Sequence, residues 1–366
     1  MKDMRSAYRG CLLGLAVGDA LGYTVDGRTW KEIQREYGPN GLLGYDLQNQ
    51  EYAPVSYYTQ IAAYLSNGLL LSVARGRPNL MRYGKLALQE WTRSQLFPRD
   101  PEESFCWLAK LPQFRRHHCR DVRMLETLRL EAYGSVDAPQ NDYATPGAIT
   151  AAVAVGMFYQ PNRISPEQVG TLAADLIALT HGNPETFLSG VVLAYTVAGI
   201  LQEPERPLED QFCQAIAVMA GQFRGRFPQA DDVARQLKQA IALAQSDSVT
   251  PQQGMEQLIC LDGAQCLAGA MFACLTWPED FDSVIITAVN HSGASAAVGA
   301  ITGAILGAKL EETALPDFYL ESLECADILA LLAEDVLSAT PALGLFDDSW
   351  DHKYGQGLPP ETCFCE

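Results

Sequence analysis

Three side chains in this 366-residue chain stand out as proton donors or acceptors: Asp26, Asp142 and His291. Carboxylates and imidazoles are the groups that general acid–base chemistry employs near neutral pH, and two carboxylates at a defined separation can cleave a glycosidic bond. Sequence spacing does not supply that separation. Ser292 and Ser295 follow His291 and bring hydroxyl groups suited to binding more than to hydrolysis. The segment Ser56-Tyr57-Tyr58-Thr59-Gln60 adds two amphipathic rings that can stack on a base or a ribose, or simply fill space.

The elements that must carry these groups read as helices. Gly10, Gly14, Gly18 and Gly22 recur every fourth residue near the N-terminus, and Gly299, Gly303 and Gly307 do so within a helix read over residues 289–307. Glycine inside a helix costs about 1 kcal/mol against alanine, so a stripe of them calls for a packing reason, the close approach of another helix backbone. The two stripes are natural partners. Ser165-Pro166-Glu167-Gln168 and Thr250-Pro251-Gln252-Gln253 combine an N-cap hydroxyl, proline at the first helical position and glutamine three residues on, so each starts a helix. Apolar residues at helical spacing appear in Val169, Leu172, Ala173, Leu176 and Ile177, and again in Val233, Leu237, Ala240, Ile241 and Ala244. Strand signals are few, and the fold class expected is an all-α bundle.

The segments Arg9-Gly10-Cys11-Leu12-Leu13-Gly14-Leu15-Ala16-Val17-Gly18-Asp19-Ala20-Leu21-Gly22 and residues 289–307 together resemble the ADP-ribosylglycohydrolase family, whose first helix carries G-x-A-x-G-D-A-x-G and whose last motif reads G-G-D-T-D-T-x-G-A-I-x-G. The resemblance spans residues 7 to about 310. It implies that family's orthogonal multi-helix bundle, one domain over residues 1–366 with a C-terminal helical extension and tail from about residue 310.

The same resemblance marks a loss. With Gly299 fixed, the family's metal-binding aspartates fall on Ala294 and Ala296 and its threonine on Ala297; the T-D-D-T motif falls on Ser56, Tyr57, Tyr58 and Thr59. Magnesium is captured mainly by carboxylate oxygens, so with only Ser56 left as a ligand among the six family positions Ser56, Tyr57, Tyr58, Ala294, Ala296 and Ala297, no metal is expected there and no magnesium cofactor is expected. The phosphate-contacting signature G-N-G-x-x-M-R falls on residues 145–151, where Gly147 and Ala148 survive and Pro146 removes an amide donor. By this resemblance the ligand-binding positions are Asp26, Ser56, Tyr57, Tyr58, Gly147, Ala148, Ser292, Gly293 and Ser295. Asp19 reads as a helix-end aspartate that binds nearby backbone amides, and His181, in the Thr180-His181-Gly182-Asn183-Pro184 turn, as a loop anchor. If the family fold holds, the helix starts after Ser56 and Ser292 face one another with amides turned into a cleft that draws anions.

Composition sets the remaining bounds. A formal net charge of -18 argues against nucleic acid as partner. The basic cluster Arg115-Arg116-His117-His118-Cys119-Arg120 reads as a solvated helix face or loop, although an ADP-ribose phosphate or an acidic partner could use it. Ten cysteines without a C-x-x-C read as reduced residues of a cytoplasmic protein, and Cys363-Phe364-Cys365 as a ragged tail. The apolar run from Cys11 to Val17 is too short for a bilayer, so no membrane is expected. Oligomeric state is not written in these motifs.

Three functions follow. The first is a family member without magnesium-dependent hydrolysis that binds ADP-ribose, a related nucleotide or an ADP-ribosylated protein. The second is a metal-independent N- or O-glycosidic hydrolase using Asp26, Asp142 or His291. The third is a protein-interaction role on a retired enzyme scaffold, carried by the acidic surface and the Leu- and Glu-rich stretch over residues 315–340.

Overall fold

The computed structural model describes residues 3–48, 50–74, 79–96, 104–339 and 350–355, and Cys363 and Cys365 lie outside them. The chain runs through α1 (Met4–Val25), α2 (Trp30–Tyr37), α3 (Tyr57–Ala74), α4 (Leu80–Leu96), α5 (Val122–Arg129), α6 (Ala151–Phe158), α7 (Pro166–Ala178) and α8 (Pro184–Gln202). It continues through α9 (Leu208–Phe223), α10 (Gln229–Ala244), α11 (Pro251–Leu258), α12 (Gly263–Thr276), α13 (Phe281–Val289), α14 (Ser295–Leu310), α15 (Asp317–Glu321) and α16 (Ala326–Ser338). The fold is all-α; among the described residues the only extended pairing is an isolated bridge between Ala53 and Leu323.

The two glycine stripes meet. α1 and α14 run antiparallel with Gly10 on Gly307, Gly14 on Gly303, Gly18 on Gly299 and Gly22 on Ser295. A methyl added at any of the seven glycines would come within 3.0 Å of a backbone atom of the opposite helix, closer than Cβ atoms ever stand. Only hydrogen fits there. The glycines forgo helix propensity, and the gain is backbone-to-backbone contact along four turns. α14 begins at Ser295, not at residue 289, because α13 ends at Val289 and Asn290 turns its side chain onto the backbone of Leu42, accepting from its N–H at 2.8 Å and donating to its carbonyl at 2.9 Å.

Ser165 and Thr250 cap α7 and α11 through capping boxes with Gln168 and Gln253, and Pro166 and Pro251 occupy the first helical positions. Val169, Leu172, Ala173, Leu176 and Ile177 are all buried, as are Val233, Leu237, Ala240 and Ile241, while Ala244 is half-buried. α8 is the one helix among the described residues long and apolar enough to cross a membrane, and 78% of its apolar window is buried inside the fold, against α6, α7, α9, α12 and α14. Residues beyond 310 fold back onto the N-terminus. Glu334 of α16 pairs with Arg5 at 2.8 Å and Arg9 at 3.1 Å, and Arg9 also reaches Glu312 at 2.7 Å.

Candidate functional site

α1 organises the site with two carboxylates spaced seven residues apart. Asp19 lies inside α1, fully buried, and its side chain crosses to the first turn of α3. It accepts from the Ser56 and Thr59 amides at 2.9 and 3.0 Å and from both of their hydroxyls at 2.5 Å. The amides it binds are therefore those of another helix and not the nearby ones expected from its position. Burial raises its pKa to about 6 against the opposing pull of those four hydrogen bonds. Ser56 in turn caps α3 by accepting from the Tyr58 amide at 3.2 Å, so its hydroxyl is already engaged twice.

Asp26 stands at the end of α1 and accepts from the Ala296 amide of α14 at 3.1 Å. Arg120 lies 3.9 Å away on its other oxygen and stacks 4.3 Å over the Tyr23 ring. Burial pushes the Asp26 carboxyl up while Ala296 and Arg120 pull it back. Thus the first turns of α3 and α14 both meet α1, but Ser56, Tyr58, Thr59 and Ala296 give their amides to side chains of the protein. The anion attraction expected of two open helix ends is largely consumed by Asp19 and Asp26, because a carboxylate at a helix N-terminus satisfies the same donors an anion would.

Tyr57 and Tyr58 fill the space between. Their rings stack with centroids 4.3 Å apart and are 7% and 3% exposed, and the Tyr58 carbonyl accepts from Thr150 at 2.8 Å, just before α6. Burial lifts both phenols well above their ordinary range, so they stay neutral. Asp26 and Asp121 both lie close enough to act on the Tyr57 phenol.

Asp121 was not among the residues singled out in the sequence, yet three partners hold it in place. It caps α5 through the Met124 amide at 2.9 Å, accepts from the Thr145 hydroxyl at 2.8 Å and lies 3.3 Å from His181 Nε2. Burial opposes ionisation, but His181 and these donors outweigh it and hold the pKa down to about 2. His181 is fully buried, with Thr180 Oγ1 at 2.9 Å from Nδ1 and Thr145 Oγ1 at 3.0 Å from Nε2, which is a loop anchor in geometry. Gly147 packs against this group, since a methyl there would stand 2.6 Å from Asp121 and 2.9 Å from the imidazole. Ala148 is buried behind it. The signal for Asp121 was present as an aspartate three residues before an apolar-spaced run, an N-cap pattern hidden by the adjoining basic cluster.

The other two acid–base candidates do not join this centre. Asp142 is exposed and accepts from Asn183 at 3.0 Å, because Asn141 beside it turns inward to bind the Thr180 carbonyl and the Gly182 amide. His291 is fully buried, and burial lowers its pKa to about 4, so at neutral pH it is an uncharged imidazole and not an imidazolium acid. Ser292 accepts from the Trp30 amide at 2.8 Å, which fixes the start of α2, and its own amide donates to Glu256 at 2.7 Å. The Gly293 carbonyl accepts from Gly27 at 3.1 Å, and Ser295 is buried with an unbonded hydroxyl. Ala294, Ala296 and Ala297 form the start of α14 with no side-chain oxygen.

The basic cluster is a loop with Arg116, His117 and Arg120 exposed, and it is tied to the body of the fold. Arg116 pairs with buried Glu324 at 2.6 Å, its carbonyl accepts from Gln60 at 3.1 Å, and His118 stacks on Tyr23, with centroids 5.8 Å apart. Sequence spacing could not reveal this, because the contacts join residues up to about two hundred positions apart.

Comparison with known proteins agrees with this frame. An uncharacterised protein of Archaeoglobus fulgidus is 23% identical over 340 residues, covering 90% of this chain and 95% of its own length. A solved ADP-ribosylglycohydrolase-related protein complex superposes with a TM-score of 0.59 at 20% identity, covering 92% of this chain and 98% of that one, and so shares the fold. The model of the ADP-ribosylglycohydrolase family matches residues 1–344, from the glycine stripe of α1 through that of α14 and beyond, and this chain belongs to that family.

Proposed function

We propose that this protein binds ADP-ribose, a related nucleotide or an ADP-ribosylated protein without the family's magnesium-dependent hydrolysis. The observation that carries the reading is the content of the two family metal segments. Stacked, buried tyrosines replace two acids at the start of α3, the Ser56 hydroxyl is engaged by Asp19 and the Tyr58 amide, and three alanines open α14. Among the described residues no three His, Cys, Asp or Glu side chains gather as a metal would need. Magnesium requires several hard oxygens in near-octahedral array, and phenols kept neutral by burial beside alanine methyls do not fit it. Arg120, half exposed beside Asp26 and Tyr23, is the cation placed to meet a phosphate. A cytoplasmic setting belongs to the same proposal, supported by eight described cysteines that are all free and mostly buried.

The test is calorimetric titration of ADP-ribose and an ADP-ribosylated peptide, each in magnesium and in EDTA. Binding of equal strength in both, with no release of ADP-ribose, is the expected result; absence of heat at millimolar ligand, or binding that requires magnesium, overturns it.

One observation favours a second reading, metal-independent glycosidic cleavage. Asp26 is held protonated more readily than usual and Asp121 less readily, and both act on Tyr57, the divergence of environments that separates a general acid from an ionised carboxylate. This reading predicts hydrolysis of ADP-ribosyl-arginine that survives EDTA and is abolished in Asp26→Asn; no turnover by the wild-type protein removes it.

A further inference from the structure

The segment joining α11 to α12 is a strap that ties two loops of the site together. Its Cys260 carbonyl accepts from the Ala294 amide at 2.8 Å, immediately before α14, and the Gly263 amide donates to the Ala144 carbonyl at 2.9 Å, immediately before Thr145. It therefore touches both the loop that leads into α14 and the loop that carries Thr145 and Gly147. Gln265 accepts from the amides of Leu261 and Asp262 at 3.1 and 3.4 Å, so the strap's backbone is pinned along its length.

The conformation held there is unfavourable for its sequence. The Cys260 amide donates back to the Leu258 carbonyl at 2.7 Å, closing a γ-turn in which Ile259 has φ 67° and ψ -44°. Cys260 follows with φ 55°. A β-branched residue at positive φ is rare. The consequence is an alternation of side chains: Cys260 is buried, while Ile259 and Leu261 on either side are 49% and 60% exposed. Around them stand Glu256 at the end of α11, Asp262 at the start of α12, and Glu185 at the start of α8. Asp262, Asp232 and Asp142 act on Glu185 as like charges, and of these Asp232 has a cationic partner, Arg235.

We propose that this strap is a docking surface for a cationic polypeptide segment that carries an aliphatic residue, and that it recognises the protein part of an ADP-ribosylated partner whose modified side chain enters the adjoining site. The inference rests on the proposed function and names its ligand class. Two rigidly presented aliphatic side chains bury apolar area at little ordering cost, and the acidic surround selects a basic segment by complementarity. Free ADP-ribose is an anion and gains nothing from the acidic surround. A basic, modified peptide uses both.

The experiment compares free ADP-ribose, a peptide of alternating Arg and Leu ADP-ribosylated on its central arginine, and the same peptide unmodified, titrated into the wild-type protein and into Leu261→Lys and Ile259→Asn. Lysine adds a like charge toward the peptide at an exposed position, and asparagine tolerates positive φ, so both variants should keep the wild-type fold; equal melting temperatures check this. The expected result is a modified peptide bound at least tenfold more tightly than ADP-ribose by the wild-type protein, an advantage that shrinks in 0.5 M salt and is lost in Leu261→Lys, with ADP-ribose affinity unchanged. Equal wild-type affinities for modified peptide and ADP-ribose, or an advantage retained in both variants, overturn the docking surface and leave nucleotide binding standing. Absence of binding by all three ligands overturns the proposed function and this inference with it.

Discussion

Gly303→Ala and Gly221→Ala are the same substitution inside two helices, and the structure gives them opposite signs. Alanine gains about 1 kcal/mol over glycine in a helix interior. At Gly221 in α9 the new methyl meets nothing within 4 Å, so most of that gain should survive. At Gly303 the methyl lands on the carbonyl of Gly14, and the obstacle is backbone that cannot rotate away. The helices must separate, which spoils the contacts at Gly10, Gly18 and their partners as well. Overpacking of this kind costs about 3 kcal/mol, the upper part of the usual range, leaving a net loss of roughly 2 kcal/mol after the propensity gain. Unfolding entropy of about 2.1 cal/mol/K per residue amounts to roughly 0.8 kcal/mol/K for this chain, so Gly303→Ala should lower Tm by about 3 °C and Gly221→Ala raise it by about 1 °C. Intrinsic tryptophan fluorescence during a thermal ramp at fixed scan rate reads both. A Gly303→Ala protein melting at or above the wild-type temperature would refute the claim that these glycines exist for backbone contact.

Asp19 should show an inverted pH dependence. Its folded pKa, about 6, lies above the value of 3.8 for a free aspartate, so its contribution is fully present below about pH 4 and fades as pH rises through 6. The shift of roughly two units corresponds to about 3 kcal/mol, and denaturation midpoints should show wild type gaining on Asp19→Asn between pH 7 and pH 4; parallel curves contradict this. Asp19→Ala strands the Ser56 and Thr59 amides in the core and should cost about 3–5 kcal/mol at pH 5, measured by urea unfolding. Ile259→Gly relieves a positive φ at a half-exposed position and should raise stability by about 1 kcal/mol, the relief of strain exceeding the entropy of the added glycine, with a lower Tm as the contrary outcome. Ten millimolar magnesium should leave Tm within about 1 °C of its value in EDTA, since an ion that finds no site stabilises nothing; a clear rise would reveal hard ligands where alanine and tyrosine now stand.

The helical class, the capped starts of α7 and α11 and the pairing of the two glycine stripes were legible in the sequence because each depends on local spacing or on one residue type with one physical use. A stripe of glycines admits few purposes, and Gly14 against Gly303 fulfils the expected one. That tyrosines at 57 and 58 and alanines at 294 and 296 leave those helix starts without carboxylates was equally plain, because it is a matter of residue identity.

What the side chains do with one another was decided only in three dimensions. Asp19 and Asp26 were each visible, but not that they reach the first turns of α3 and α14 and occupy the amides there. Asp121 drew no notice until folding set Thr145 and His181 on it, from 24 and 60 residues away. Asp142 and His291 were visible as acid–base residues, but not that one is exposed beside Asn141 and the other buried and uncharged. Propensity and motif are local properties, and the chain declares them residue by residue. Hydrogen-bond partners, burial and the ionisation states that follow from them depend on residues distant in sequence, and so the tertiary structure alone assigned them.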